Sequence, residues 1–270
     1  MRKSMGAVLF TLIVVLSASA QAEDAKPGKK WSDEAELSFV NTSGNSETST
    51  FAAKNLLKFK FTDKLEGQWD AAALFSQSTS KTSDETDPPE SEETKTTAER
   101  YSTNIKLSYL FTERFYSGLG AGWLRDELAG LKNKYYAGPF AGYKILTGPK
   151  HLLKGELGLN YAKEEYTYEK KDQDREPGKK FEDKDFLEGR AFGLYEYAFT
   201  EKTKFSQSIE YLYDFDDSDN YKANSLSAFT VAVSDVFSVK TSYEIRYVNQ
   251  VPADLDTTDR ILTVALVANI

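Results

Sequence analysis

The chain offers few residues for catalysis. Its 270 residues include no cysteine and one histidine, His151. A thiolate nucleophile, a disulfide framework and a zinc site built from cysteine or several histidines are therefore excluded. Serine hydrolases and aspartate-histidine proteases need a histidine base beside the nucleophile, and His151 would have to serve alone. Because His151 directly follows the turn-like sequence TGPK, we expect it to be structural, and we predict no enzymatic activity, no cofactor and no metal centre.

Two other patterns imitate ligand sites. GLGAG at 118–122 resembles a nucleotide loop, but its surroundings indicate a strand and no helix follows. We therefore interpret its glycines as leaving room for large neighbouring side chains. DFDDSDN at 214–220 lacks the glycine and the distal glutamate of a calcium loop, which favours a solvated acidic loop and leaves divalent-ion binding open. The net charge of -8 argues against nucleic acid as a partner.

The N-terminus resembles a secretory signal. Arg2 and Lys3 precede an apolar run at 7–16, and small residues at 20–22 form a cleavage site. The apolar run is shorter than the roughly 20 residues that a spanning helix needs, which favours cleavage over an N-terminal anchor. We predict a signal peptide at 1–22, a short periplasmic segment at 23–30 and a barrel domain at 31–270.

From residue 31 onward, bulky apolar residues alternate with polar or small ones. This period of two predicts β-strands. In one segment Tyr101, Ile105 and Tyr109 share a parity, and Asn104 and Lys106 lie on the other. The pattern predicts twelve strands, at 35–42, 48–61, 65–77, 99–111, 115–125, 134–146, 151–163, 186–199, 203–214, 221–233, 236–248 and 259–270. Pro139 interrupts the sixth strand, where we expect a β-bulge.

The connections alternate in length. Short turns lie at 61–64, 111–114, 147–150, 199–202 and 234–236, and longer polar linkers at 42–47, 77–99, 125–132, 164–185, 214–220 and 249–258. An even strand number with short turns at one rim and long loops at the other is typical of an outer-membrane β-barrel. We therefore predict an all-β, antiparallel up-and-down transmembrane barrel with short periplasmic turns and long acidic extracellular loops.

The alternation of polar and apolar residues alone does not distinguish a membrane barrel from a soluble β-sandwich. Aromatic residues at the strand ends favour the membrane barrel. Interfacial girdles are expected at both rims of a transmembrane barrel. The predicted girdle residues are Phe61, Phe111, Phe199 and Phe237 at the periplasmic rim, and Phe75, Tyr101, Tyr213 and Tyr247 at the other.

Charged residues on the polar parity would face the lumen. The strongest candidates are Lys106, Arg190, Glu196, Glu210, Lys240, Glu244 and Arg246, with Lys54, Lys58, Glu66 and Asp70 beside them. Mixed charges can line a narrow aqueous channel or pair with one another and plug it. For any single residue we favour an interior ion pair.

Two stretches carry a family resemblance: AELSFVNTSGNSETST at 35–50 and LRDELAGLKNKYYAGPFAGYKIL at 124–146. Their motif residues are Ser43, Gly44, Asn45, Asp126, Gly130 and Leu131. With these motifs in this order, the chain resembles the salt-induced outer-membrane proteins over 31–270. The resemblance implies a bacterial β-barrel of unknown molecular function and supplies no active residue.

The sequence thus predicts a monomeric barrel in the outer membrane of a Gram-negative bacterium. Its partners would be outer-membrane lipid and, during insertion, the barrel-assembly machinery. The favoured function is a narrow channel for ions or small solutes. The main alternative is a non-conducting structural or surface-interaction barrel that presents acidic loops, and a barrel enzyme comes third.

Overall fold

The structure is a computed structural model that describes residues 30–42, 46–82, 91–127, 130–166, 183–251 and 256–270. The described residues form twelve strands, which confirms the predicted number. The strands are β1 (Trp31–Thr42), β2 (Ser46–Lys60), β3 (Leu65–Thr82), β4 (Ser91–Leu110), β5 (Phe115–Asp126), β6 (Leu131–Thr147), β7 (His151–Tyr166), β8 (Lys184–Thr200), β9 (Thr203–Asp214), β10 (Tyr221–Ala232), β11 (Phe237–Val248) and β12 (Thr258–Asn269). No helix in these ranges is long and apolar enough to cross a membrane.

Every strand pairs antiparallel with its neighbours in sequence, and β1 pairs with β12, so the sheet is a closed barrel. This is the predicted up-and-down topology. Closure removes the free edges that a sheet cannot leave open in hydrocarbon. The ladder between β1 and β12 is nevertheless short, because it runs only from Glu34↔Asn269 to Leu37↔Leu266 in the described residues of the two strands.

Hydroxyl side chains explain the repeated sequences of the short turns. Thr62 Oγ1 accepts hydrogen bonds from the backbone N–H groups of Lys64 and Leu65, at 3.2 and 3.0 Å. Thr112 and Ser234 make the same pair of contacts in their own turns. Such side-chain to backbone bonds stabilise tight turns because they replace ladder bonds that end there.

The two faces of the barrel differ in polarity. Large apolar side chains cover the outside, among them Leu37, Phe39, Trp69, Ile105, Leu107, Leu119, Leu157, Leu159, Ile209, Leu262, Val264 and Leu266, all exposed. The inside holds buried polar side chains, including Glu36, Lys134, Glu156, Asn160, Glu164, Glu188, Asp214 and Glu244. A water-soluble domain has the opposite arrangement, so the outer surface of this barrel suits hydrocarbon.

Aromatic rings cluster at both rims. Phe59 and Phe61, Tyr109 and Phe111, and Tyr197 and Phe199 have ring centroids 6.1, 5.0 and 4.6 Å apart at the rim with the short turns. Tyr221 and Tyr247, and Tyr213 and Phe215, lie 5.9 and 5.5 Å apart at the other rim. Rings with one polar and one apolar part prefer the interface between bilayer and water.

The predicted linker at 77–99 is wrong in its extent. β3 continues to Thr82 and β4 begins at Ser91, and the two pair from Gln77↔Thr96 to Thr82↔Ser91 beyond a register shift at Ser76 and Gln77. The extension is rich in Thr and Ser and polar on both faces. Amphipathic alternation therefore ends before strand pairing does.

The predicted bulge at Pro139 is also wrong. On β7, Ala137 pairs with Tyr161 and Phe140 with Gly158, which is the same register on both sides of the proline. On β5, Leu119 opposes Pro139 without a shift. The strand thus omits ladder pairs with β7 at 138 and 139 but inserts no residue. β6 shifts register near its ends instead, at Leu131/Asn133 and Lys144/Leu146 on the β7 side.

Candidate functional site in the barrel interior

Inward-facing glycines make room for large side chains on β5 and β6. A Cβ added to Gly122 would lie 2.5 Å from Tyr136 Cζ, and one added to Gly142 would lie 2.3 Å from Tyr116 Cζ. Tyr116 is buried. The glycine-rich run that resembles a nucleotide loop is therefore a packing device that lets tyrosine rings lie against the inner wall.

Glu156 on β7 is the centre of the first charged cluster, which we call the middle cluster. Lys106 Nζ donates to Glu156 Oε2 at 2.5 Å, Arg190 Nη1 donates to the same oxygen at 3.0 Å, and Tyr116 Oη donates to Oε1 at 3.0 Å. Arg190 Nε also donates to Glu210 Oε1 at 2.6 Å. Since β4 and β7 are three strands apart, about 14 Å along the wall, the Lys106–Glu156 bond spans part of the lumen.

A second cluster, the outer cluster, lies near the rim with the long loops. Lys134 Nζ contacts Glu188 and lies 3.2 Å from Glu164 Oε1, with 2% of its side chain exposed. Lys222 on β10 also contacts Glu164 on β7, again across three strands. Tyr166 Oη donates to Glu164 Oε2 at 2.5 Å. Buried charges persist only when they are paired and hydrogen-bonded in this way.

The remaining wall, from β10 through β12 to β3, carries smaller groups. Its buried side chains include Ser38, Ala228, Ser238, Ser242, Ala265 and Val267. Lys240 contacts Glu36 and lies 3.6 Å from Glu34 Oε1. Arg246 Nε donates to Glu244 Oε1 at 2.8 Å. The two interior walls therefore differ, because ion pairs that join strands three apart crowd the first, whereas the ion pairs of the second join strands no more than two apart and lie among short side chains.

The structure brings some of the sequence-predicted residues together and separates others. Lys106, Arg190 and Glu210 join the middle cluster, and Lys240, Glu244 and Arg246 lie on the opposite wall. Glu196 instead approaches Lys204 at 3.5 Å near the short turns. Asp70 accepts a hydrogen bond from Asn104 at 2.6 Å. Among the described residues Lys54, Lys58 and Glu66 have no oppositely charged partner within 4 Å.

Several charged residues of the two clusters are not among the lumen residues predicted from the sequence. They are Lys134, Glu156, Glu164, Glu188 and Lys222. Each has the inward parity of its strand, so the signal was present, but parity does not give the height of a residue in the barrel.

His151 begins β7 beside the turn at 148–150. Its Nδ1 lies 2.9 Å from Tyr195 Oη and its ring centroid 4.7 Å from that of Tyr197. The ring belongs to the aromatic rim. In the described part of the chain no group of three or more potential metal ligands is found. At 214–220, Asp214 accepts bonds from Lys184 and Asn220, so that carboxylate already has cationic and amide partners.

The family-motif residues have structural contacts where they are described. Asp126 Oδ2 accepts a bond from Arg100 Nη1 at 2.7 Å, and Leu131 is buried. Gly130 has φ 71°, a left-handed conformation that favours glycine. Ser43, Gly44 and Asn45 lie outside the described residues.

Residues 35–270 match a family model described as "Protein of unknown function, DUF481". The chain belongs to this family. A relative, "Uncharacterized protein YdiY" of Escherichia coli (strain K12), is 25% identical over 170 residues. The match covers 63% of this chain and 61% of that protein, so it spans less than two thirds of the relative.

Solved structures show the fold. The COG4313 outer membrane channel from Pseudomonas putida F1 superimposes with a TM-score of 0.50 at 11% identity, covering 91% of this chain and 97% of that one. The translocator domain of the autotransporter NalP from Neisseria meningitidis gives a TM-score of 0.48 at 9% identity, with coverages of 91% and 89%. The COG4313 match and the closed twelve-strand sheet together show that this DUF481 chain has the barrel fold of outer-membrane proteins.

Proposed function

We propose that this DUF481 protein is an outer-membrane channel with a narrow lumen for small ions or hydrophilic solutes. The observation that carries the proposal is the polar interior inside an apolar outer wall. Two ion pairs, Lys106–Glu156 and Lys222–Glu164, join strands three apart and narrow one side of that interior. The wall from β10 to β3 carries short side chains between its own ion pairs, and it is the route we assign to solutes.

Conductance in a planar bilayer tests the proposal. The protein should give discrete current steps, and Lys106→Ala should enlarge them because it removes a side chain that reaches across the lumen. Glu156 keeps Arg190 and Tyr116 as partners in that variant, so the fold should survive. Lys163→Ala is the matched control, since Lys163 pairs with Glu165 on the outer surface. Folded protein that stays silent in both forms would overturn the proposal.

The β3–β4 hairpin supports a second candidate, a surface-interaction barrel. β3 has 18 residues and β4 has 20, about twice the 9 to 11 that a tilted strand needs to cross a bilayer. The polar end of the hairpin would then project from the cell. Joining Ser78 to Lys95, which pair in the ladder, by an Asn-Gly turn would remove that end.

The trimmed hairpin separates the two candidates. A channel should conduct with the hairpin intact or trimmed. A surface barrel should be silent in both forms, and cells that display it should lose cell–cell aggregation when the hairpin is trimmed.

We further propose a Gram-negative outer-membrane location, a monomeric state, surrounding lipid and insertion by the barrel-assembly machinery. The family, the closed sheet and the apolar outer surface support these assignments. A catalytic role is not proposed, because the lone histidine is engaged with Tyr195 and Tyr197 in the rim. Fractionation of cells that express the full chain tests the location.

A further inference from the structure

The barrel wall contains a stretch where two strands face each other without pairing. β1 pairs with β2 along its whole length, and β12 pairs with β11 from Thr258 to Ala268. Between β1 and β12 the described ladder stops at Leu37↔Leu266. The same register would bring Ser38 opposite Ala265 and Phe39 opposite Val264. We call this unpaired stretch, residues 38–42 of β1 and 261–265 of β12, the seam.

The seam leaves backbone groups in the outer half of the wall without ladder partners. Asp33 and Ile270 exchange two backbone hydrogen bonds, of 2.9 and 2.8 Å, so every second residue of β1 aims its N–H and C=O at β12. Phe39 belongs to that set. Hydrocarbon cannot satisfy such groups, and non-paired backbone persists at membrane depth only beside protein or a polar filling. The backbone groups of the seam therefore need polar partners other than the facing strand.

The outer side of the seam is apolar. Phe39 is 69% exposed, and Leu262 and Val264 are also exposed beside it. Behind it, Ser38 and Ala265 are short, buried and uncharged. A path from the lipid into the lumen would thus meet apolar side chains first and small ones next.

Charged residues of both signs lie at the base of the seam. Lys54 opposes Glu36 in the β1–β2 register, two residues below the start of the unpaired stretch at Ser38. It is half-buried, and among the described residues it has no carboxylate within 4 Å. Lys240 on β11 passes behind β12 to contact Glu36 on β1, and this ion pair joins the two strands in the paired stretch below the seam.

We propose that the seam is a lateral binding site for a single-chain amphiphile with an anionic headgroup, which enters from the outer leaflet. The chain lies against Phe39 and Val264, and the headgroup passes through the gap toward Lys54. The headgroup and its water supply the hydrogen bonds that the seam edges lack. The headgroup end of this site lies on the wall that the conducting route follows, but the site is filled from the membrane and its occupancy requires no current.

Photolabelling inside vesicles tests the proposal. A fatty acid with a diazirine beside its carboxylate is incorporated into the bilayer with the reconstituted protein, and labelled residues are mapped by mass spectrometry. Val40→Cys with Thr263→Cys allows the seam to be closed by a disulfide, since the two positions would form a non-hydrogen-bonded pair in the continued register. The chain has no other cysteine. Ala35→Cys with Ala268→Cys, a pair already in the ladder, is the control.

We expect labelling at Ser38 and its lumen-side neighbours in the reduced seam variant, loss after oxidation and recovery with reductant. The control pair should label equally in both states. Lys54→Met should lower labelling by the acid about tenfold, with little change for the matching fatty alcohol. Absent labelling, or labelling that persists through the closed seam, overturns the proposal. Equal labelling by acid and alcohol in the intact protein also does so, even if the disulfide variant fails to fold.

Discussion

Glycines on the inner face of β5 and β6 leave space that neighbouring aromatic rings fill. The clearest case is Gly142, whose added Cβ would meet three atoms of Tyr116 within 2.6 Å. Tyr116 has little freedom to move, because it is buried and donates to Glu156. The glycine therefore supports both the packing and the middle cluster.

Gly142→Ala should lower the free energy of unfolding by about 1–3 kcal/mol, since the new methyl group overpacks the site. Urea titration of the protein in lipid vesicles measures the change. Gly193→Ala is the control, because a Cβ there would meet nothing within 4 Å. Equal stability of the two variants would show that Tyr116 moves aside freely.

The buried charge of Lys134 provides a test of the outer cluster. Lys134→Met leaves Glu164 and Glu188 facing each other without the lysine between them, although Lys222 still reaches Glu164. Breaking a buried ion pair typically lowers the free energy of unfolding by about 3–5 kcal/mol. The same substitution at Lys163, which is 52% exposed and pairs with Glu165, should cost about 1 kcal/mol or less. A small loss for Lys134→Met would mean that water enters the outer cluster.

At the scale of elements, the sequence predicts strands better than it predicts contacts. A bilayer outside and polar groups inside impose period two on every crossing, so the twelve strands and their order were readable. Lys106 and Glu156 are 50 residues apart, and their contact depends on the heights that β4 and β7 reach in the barrel. Parity carries no such information. Alternation also gave the wrong strand ends at 77–99, because β3 and β4 remain paired beyond the amphipathic segment.

On β1, the edge that faces β12 is bonded along only part of its length. Hydrogen exchange should reveal this as an alternation along the strand. The N–H of Leu37 should exchange slowly through its bond to β12, that of Phe39 quickly, and that of Val40 slowly again through β2. NMR of the reconstituted protein without added amphiphile measures the rates. Similar protection at Leu37 and Phe39 would mean that the seam closes in the membrane.

Across the whole molecule, charge is distributed unevenly around the lumen. In the outer cluster the cations Lys134, Lys184 and Lys222 match the carboxylates Glu164, Glu188 and Asp214. In the middle cluster Lys106, Lys154 and Arg190 face Glu156 and Glu210, which leaves an excess positive charge. A solute that passes both levels would therefore be selected by charge at the middle one.

Glu156→Gln should shift the channel toward anions, because it removes a negative charge from the middle cluster and keeps the shape of the side chain. A unit charge at 4 Å in water is worth about 1 kcal/mol, which corresponds to about a fivefold change in the permeability ratio. Reversal potentials in a salt gradient measure that ratio. Glu165→Gln, on the outer surface beside Lys163, should leave it unchanged. If both variants keep the selectivity of the unmodified protein, ions pass out of reach of the middle cluster, and selection by charge at that level is wrong.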